Sequence, residues 1–407
     1  MTTTFPPHSL DRLEPDLVRL RRDLHRHPEL AFAERRTASI VRERLEALGL
    51  VVRSGVGGTG VVADLDGTEP GPRVLVRADM DAIPVTERTG LEYSSTTPGV
   101  MHACGHDAHV AALIGAATML TDMPGLPGSI RFCFQPGEEL LTGARRMIAD
   151  GVMEGVDAVL GAHLLSPVPF GTVSVAHGAF LAGGDLFELR VIGKAGHGGT
   201  PQSSIDPIFA AAQVVCALQS VVARETRPGE PLVVSINAIQ GGSAANVTVE
   251  AVTLRGTIRW FAPTERERGL ARIEAIARGI GEALRVRIEF EVLGGAPVTS
   301  NVPEYAALVD EAVTESGRAT VVDGGPITAT DDVAYLLDMV PGAFFLVGAG
   351  GPSAVPHHHP AFEIDERAIG LMSEVLARAA IKVLHHTSTA RRARGYGRAP
   401  VSVTLTR

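Results

Sequence analysis

Side chains able to hold a metal ion or move a proton fall at the ends of apolar runs in this chain. VLVRADMD places Arg77, Asp79 and Asp81 just past one β-like run, and RFCFQPGEE places Glu138 and Glu139 just past another. VLGAH ends on His163, and AFFLVG leads into a loop that reaches His357, His358 and His359. Ligands of open α/β sheets bind outside the carboxyl ends of the strands. Four strand ends would therefore deliver carboxylates and imidazoles to one edge. Each is weak evidence alone, and together they are strong. The densest cluster is MHACGHDAH (101–109), where Cys104 and His106 flank Gly105, a residue that lets the chain turn tightly. A thiolate beside an imidazole suits zinc, and also manganese, cobalt or nickel.

The pair Glu138-Glu139 opens a helix-like segment, where the macrodipole favours carboxylates with or without a site. At a metal site two adjacent acids can divide the work. One coordinates, while the other takes a proton from water and passes it to a leaving nitrogen. His163 at the end of an apolar strand also reads as a structural histidine. At most one or two of His357, His358 and His359 can face the metal.

The elements that must position these residues follow from periodicity. Leu13 to about His27 and Glu34 to Leu48 read as helices, broken at Pro28 and stopped at Gly49. Short β-rich runs then alternate with helices: 74–76, helix 106–120, 130–134, helix 138–151 and 157–162. That alternation indicates an α/β layer with a largely parallel sheet. The pattern changes at LFELRVIG (186–193), which alternates strictly. A helix over 206–224, β-rich runs at 232–239 and 247–261, a helix to about Leu284 and the alternating run 286–292 follow. Thr264 and Glu267 read as that second helix's capping box. The order is β-α-β-β-α-β, ferredoxin-like, and reads as an inserted module. The α/β pattern then resumes, with a helix near 303–316, strands at 319–322 and 343–348, and a long helix from Glu366 to about His385. The expected fold is α/β: a mixed-sheet three-layer catalytic domain (1–183 and 296–390) carrying an inserted ferredoxin-like α+β domain (184–295). Residues 391–407 read as a disordered tail.

At 407 residues the chain is long for a single core, which favours two domains. A formal charge of −9 offers no basic stripe for phosphates, so nucleic acid is not an expected partner. The one basic cluster, Arg391, Arg392 and Arg394, reads as a solvated end. The first residues lack a basic segment followed by an apolar one, so they do not read as a signal peptide. No apolar run approaches ~18 residues, so no membrane span is expected. The three cysteines suit a reducing cytoplasm, and Cys133 and Cys216 sit in apolar runs that read as core.

RRDLHRHPEL (21–30), RADMDAIPV (77–85), MHACGHDAHVAALIGAA (101–117), FQPGEE (134–139) and GAHL (161–164) continue into GKAGHGGTP (193–201), GGSAANV (241–247), GTIR (256–259) and HHPAFEIDE (358–366). In this order and spacing the chain resembles the amidohydrolase branch of the aminoacylase and glutamate-carboxypeptidase superfamily. That branch includes hippurate hydrolases, auxin–amino acid conjugate hydrolases and N-acyl amino acid deacylases. The resemblance implies two divalent metal ions, manganese first among them with zinc, cobalt or nickel as alternatives. Their ligands would be Cys104, His106, Glu139, His163 and His358, the last because the family pattern is His-x-Pro and Pro360 points two residues back. Glu138 would be the general base, and Asp81 would support the metal cluster. The inserted module resembles the family's lid or dimerisation domain, which allows a homodimer. There His197 would stabilise the oxyanion, and Asn246 and Arg259 would hold the substrate's α-carboxylate, a task suited to a planar guanidinium.

Three segments depart from the family pattern: Pro201-Gln202 in place of Pro-His, NVTV (246–249) in place of Asn-Val-x-Pro, and Asp331-Asp332-Val333 in place of Glu-Asp-Phe. None removes a metal ligand or the base. The activity expected is hydrolysis of N-acyl amino acids, with a dipeptidase or carboxypeptidase as the alternative. A metal-dependent binding protein without catalysis would have no use for Glu138 beside Glu139.

Overall fold

The computed structural model describes Phe5 and residues 9–393, which divide into two compact units. The first takes its described residues from the segments 1–180, 300–325 and 331–407, and the second comprises 181–299 with 326–330. The second unit thus begins and ends a few residues outside 184–295, and it takes five residues, 326–330, from the later segment. Backbone hydrogen bonding accounts for that capture, since Ala182 N–H donates to the Ile327 carbonyl at 3.0 Å.

In the first unit an eight-stranded mixed sheet runs in the order Val51–Val56, Gly60–Asp66, Ser129–Gln135, Arg73–Asp79, Ala158–Pro169, Gly342–Gly350, Thr172–Val175 and Thr320–Asp323. Its centre is parallel, and antiparallel pairs flank it. Alternate residues face opposite layers. Val74, Val76, Ile130, Phe132 and Phe134 pack into the core formed with the helices Ser9–Arg26, His106–Thr121, Pro303–Ser316 and Arg367–Ala393. Cys133 points the other way, towards Met147 of the short helix Gly143–Ala149, with their sulfurs 3.7 Å apart. Gly161 faces Val333, just before the helix Ala334–Leu337. Three layers result, one of them thin. The helix His106–Thr121 is buried on nearly every side, which its uniformly apolar sequence requires. At Gly115 a Cβ would lie 2.4 Å from Ser373 Oγ and 2.7 Å from Leu17 Cδ1, so three helices meet where no side chain fits.

The second unit is a four-stranded antiparallel sheet in the order Leu232–Gln240, Ala251–Trp260, Gly183–Ile192, Arg287–Ala296. The helices Pro207–Ala223 and Pro263–Leu284 pack on the face that presents Phe187, Leu189, Val191, Val252 and Leu254. The expected β-α-β-β-α-β order is present.

Several local readings change. The hairpin Val51–Val56/Gly60–Asp66 and the strand Thr172–Val175 carry no clear sequence signal, the first because its edge strand is largely exposed. The segment 138–151 is two pieces, a 3₁₀ turn Glu138–Leu140 and the helix Gly143–Ala149, separated by Leu141 at φ 52°. The strand holding His163 runs on to Pro169, so His163 lies within it rather than at its end. The run 247–261 is two strands, Val247–Thr248 and Ala251–Trp260. No capping box forms at Thr264, because Pro263 with its fixed φ begins the helix and leaves Ala262 at the cap. Cys216 is exposed, whereas Cys133 is buried. The final helix continues past His385 to Ala393, and Arg391 pairs with Asp157. The rest of the expected tail, 394–407, lies outside the described residues.

Candidate metal centre

Five chain segments of the first unit converge beyond the parallel strands. Asp79 ends its strand and Asp81 follows two residues on. Gly105, at φ 97°, turns the chain between Cys104 and the first helical residue, His106. An L side chain at 105 would be strained there. The turn Glu138–Leu140 follows the strand Ser129–Gln135. His163 comes from the middle strand, and His358, itself at φ 66°, from the loop after Gly342–Gly350. The backbone N–H of His358 donates to the Ala103 carbonyl at 2.7 Å, which ties the two loops together.

The side chains meet closely. Cys104 Sγ lies 3.5 Å from His163 Nε2. Glu139 Oε1 lies 3.3 Å from His358 Nε2 and 4.0 Å from His106 Nε2. Glu138 Oε2 is also 4.0 Å from His106 Nε2. Ligand atoms of Cys104, Glu139 and His358 lie within 4.8 Å of one another, as do those of His106, Glu138 and Glu139.

Hydrogen bonding decides which atoms remain for a cation. His106 Nδ1–H donates to the Asp81 carbonyl at 2.9 Å, so Nε2 is the nitrogen turned to the carboxylates, and it makes no hydrogen bond. His163 Nδ1–H donates to the Leu164 carbonyl at 2.6 Å, and its bare Nε2 faces Cys104. His109 is different. Its Nε2 accepts from Leu164 N–H at 2.9 Å, and its Nδ1–H donates to Asp79 Oδ1 at 2.6 Å. No lone pair is left on that ring, so His109 supports the cluster and does not ligate. Asp79 gives its second oxygen to Arg77 at 2.9 Å. Glu139 Oε1 faces the His358 Nε2 atom and is the carboxylate oxygen shared between His358 and His106. A buried polar atom without a hydrogen bond, such as His106 Nε2, is costly unless another group satisfies it, and a metal ion is one that could. The donor set, thiolate with imidazole and carboxylate, fits divalent transition metals.

Asp81 carries the turn that bears the two glutamates. Its Oδ1 accepts from Glu138 N–H at 3.0 Å and its Oδ2 from Glu139 N–H at 3.1 Å. Glu34 accepts from Gly137 N–H at 3.0 Å just upstream.

The charges set the ionisation. Burial pushes the Glu138 carboxyl well above its ordinary range, with Asp331, Glu139 and Asp332 adding to it. Burial and Glu139 push the Cys104 thiol up as well. Burial also opposes ionisation of Asp79, but His106, Arg77 and His109 outweigh it and hold that carboxyl well below the usual range. Behind Glu138, Arg77 reaches Asp331 and Asp332, and Gln135 Nε2 donates to Asp332 at 2.6 Å. Behind His106, the buried Asp107 accepts from Arg21 Nε and His25 Nδ1, each at 2.8 Å, and His25 Nε2 reaches Glu87 at 3.4 Å.

The sequence pattern of peptidase family M20/M25/M40 matches residues 75–382. The chain belongs to this family. An N-acetyl-L-cysteine deacetylase of Bacillus subtilis is 38% identical over 379 residues, 93% of this chain and 90% of the relative. A protein named thermostable carboxypeptidase 1, from Saccharolobus solfataricus, is 38% identical over 381 residues, 91% of this chain and 96% of its own length. Among solved structures, a Bacillus subtilis dinuclear metal-binding peptidase of the M20 family is 34% identical. It superposes with a TM-score of 0.78 over 92% of this chain and 99% of that one. The protein is a metal-dependent hydrolase of amide bonds. Among the described residues no helix is long and apolar enough to cross a membrane.

In the second unit His197 and Asn246 are neighbours on a short ribbon, where Val247 pairs with His197 and Gly198 N–H donates to the Asn246 carbonyl at 2.8 Å. His197 Nδ1 accepts from Gly199 N–H at 2.9 Å, and both residues are exposed. Arg259 stands on another strand, paired with Gly184, where a Cβ would lie 2.3 Å from its Nη1. Sequence reasoning assigned no role to His109, Asp332 or Glu34. His109 was detectable, lying three residues after His106 and hence on the same helical face. Asp332 meets Gln135 across 197 residues of chain, a pairing no local pattern signals.

Proposed function

We propose that this chain hydrolyses N-acyl amino acids to a carboxylic acid and a free amino acid, with two divalent ions held by Cys104, His106, Glu139, His163 and His358. The observation that carries the reading is the convergence at one buried place of His106 Nε2, which makes no hydrogen bond, with the carboxylates of Glu138 and Glu139. Bound ions would supply Lewis acidity, polarising the scissile carbonyl and lowering the pKa of water. Glu138 is the general base, taking the proton of the attacking water and handing it to the departing nitrogen. Its elevated pKa suits both halves of that transfer. Asp81 holds the turn that presents Glu138 and Glu139, and Asp79 holds His109 against the strand of His163. We assign His197 to the oxyanion, and Asn246 and Arg259 to the α-carboxylate. The second unit serves as lid and homodimer contact, manganese is the first choice of metal, and the cytoplasm is the proposed compartment.

The similarity to a deacetylase of an N-acetyl amino acid supports the substrate class. The similarity to a protein named as a carboxypeptidase favours a second reading, in which the acyl group is itself a peptide. One experiment separates them. Protein reconstituted with manganese, zinc, cobalt or nickel is offered N-acetyl, N-benzoyl and longer N-acyl amino acids, alongside dipeptides with a free α-amino group. Release of amino acid from the N-acyl series at the higher kcat/KM is the expected result. Turnover confined to the peptides would transfer the assignment to the second reading.

A further inference from the structure

His357, next to the proposed ligand His358, is turned inwards, with its ring against Phe362 at a centroid distance of 4.9 Å and edge-on to His163 at 5.4 Å. Both of its nitrogens have fixed partners. The backbone N–H of Ser166 donates to Nε2 at 3.2 Å. An amide N–H can only donate, so Nε2 must hold the lone pair and the neutral ring carries its proton on Nδ1. Nδ1 faces Cys104, whose sulfur is 3.7 Å away and whose carbonyl is a second acceptor for the same ring.

We propose that His357 donates its Nδ1–H to the sulfur of Cys104, fixing the orientation of the thiolate towards the metal. This rests on the reading of Cys104 as a ligand. His357 is a positioning residue, since no bare nitrogen remains on its ring. The strand Ala158–Pro169 anchors the ring through Ser166 and also carries His163, so the same element aims a ligand and the donor that supports its neighbour. Partners behind a metal ligand are worth about 10–100-fold in metal affinity.

The test uses cobalt(II)-loaded protein, in which a thiolate ligand shows a sulfur-to-metal charge-transfer band. A hydrogen bond to sulfur lowers the energy of its lone pairs, so losing it moves the band to lower energy. His357→Phe keeps a ring packed against Phe362 and removes the donor. It should shift the band to lower energy and weaken cobalt affinity about 10–100-fold, whereas His357→Gln, which offers an amide N–H, should restore much of both. A band unmoved in His357→Phe overturns the proposal and leaves Cys104 a ligand, with the proton directed at the carbonyl. Equal shifts in the two variants would assign the effect to packing and overturn it too. No thiolate band in the parent protein would reject Cys104 as a ligand, and this proposal with it. Nitrogen-15 NMR of the zinc-loaded parent needs no variant: the His357 proton on Nδ1 is expected, and a proton on Nε2 overturns the assignment.

Discussion

Asp81→Asn isolates what holds the two glutamates. The Asp81 side chain is 1% exposed, and each of its oxygens takes one backbone N–H, from Glu138 at 3.0 Å and Glu139 at 3.1 Å. Asparagine keeps the shape but offers one oxygen and one NH₂, so a donor must face one of those N–H groups. Hydrogen bonds to a charged group contribute about 1.5–3 kcal/mol each, and neutral ones about 0.5–1.5. Two charged bonds therefore become one neutral bond and one buried clash, a loss of about 3 kcal/mol at the turn. The Asp81 carbonyl still accepts from His106, so that ligand stays aimed. The cost falls on Glu138 and Glu139. If the turn must be restored for ions to bind, manganese affinity should fall about 100-fold, since each 1.4 kcal/mol is tenfold. Isothermal titration of manganese into chelator-treated protein measures this, with far-UV circular dichroism as the check on folding. Affinity equal to the parent's would refute the reasoning. A lowered Tm with unchanged affinity would show that the carboxylate holds the fold and not the site.

Three further outcomes are expected. Glu138→Gln should lose at least about 10²-fold in kcat with its metals retained, while Glu139→Gln should lose metal; elemental analysis beside initial rates would expose exchanged roles as the opposite pattern. Arg259→Ala should cost free-acid substrates about 2–5 kcal/mol in kcat/KM and their amides far less, and equal losses on both would remove Arg259 from the carboxylate. Burial works against ionisation of Glu87, yet hydrogen bonds from His25, Thr89 and Ser95 N–H hold it at about 2 against an ordinary 4.5. A depressed carboxyl stabilises the fold fully above the unfolded value and loses that contribution as pH falls towards 2, up to about 3 kcal/mol, so Glu87→Gln should flatten the acid limb of denaturant unfolding, and parallel curves for variant and parent would contradict this.

Much of the fold is written in local periodicity. LFELRVIG alternates because one face meets two helices, and Phe187, Leu189 and Val191 are all fully buried. The helix at 106–121 is legible because no polar stripe interrupts it after His109. Failures come where a partner elsewhere in the chain decides the outcome. The helix pattern of 138–151 is broken at Leu141, which takes φ 52°, a conformation that nothing in the local apolar spacing signals. Cys216 sits in an apolar run but on the outward side of its helix, where hydrophobicity of the run says nothing about facing.

The candidate site divides along the same line. Residue types past strand-like runs single out Glu138, Glu139, His163 and the run His357 to His359, and the MHACGHDAH cluster adds Cys104 and His106, while the choice of Cys104, His106, Glu139, His163 and His358 as ligands rests on the family resemblance. Roles among the histidines are another matter. His106, His109, His163 and His357 all lie within the cluster, and imidazole is equally able to ligate or to support. What separates them is the group bonded to the nitrogen turned away from the site. A backbone carbonyl there takes one proton and turns the other nitrogen to the site, as at His106 and His163. A backbone N–H there takes the lone pair and leaves a proton to offer, as at His109 and His357. That choice depends on which peptide group a neighbouring segment presents: Asp81 for His106, Leu164 for both His163 and His109, and Ser166 for His357. Leu164 serves two rings with opposite results, its carbonyl facing the His163 Nδ1 atom while its N–H closes His109. One residue of an ordinary apolar strand thereby sorts a proposed ligand from a support, and leucine at that position carries no trace of it.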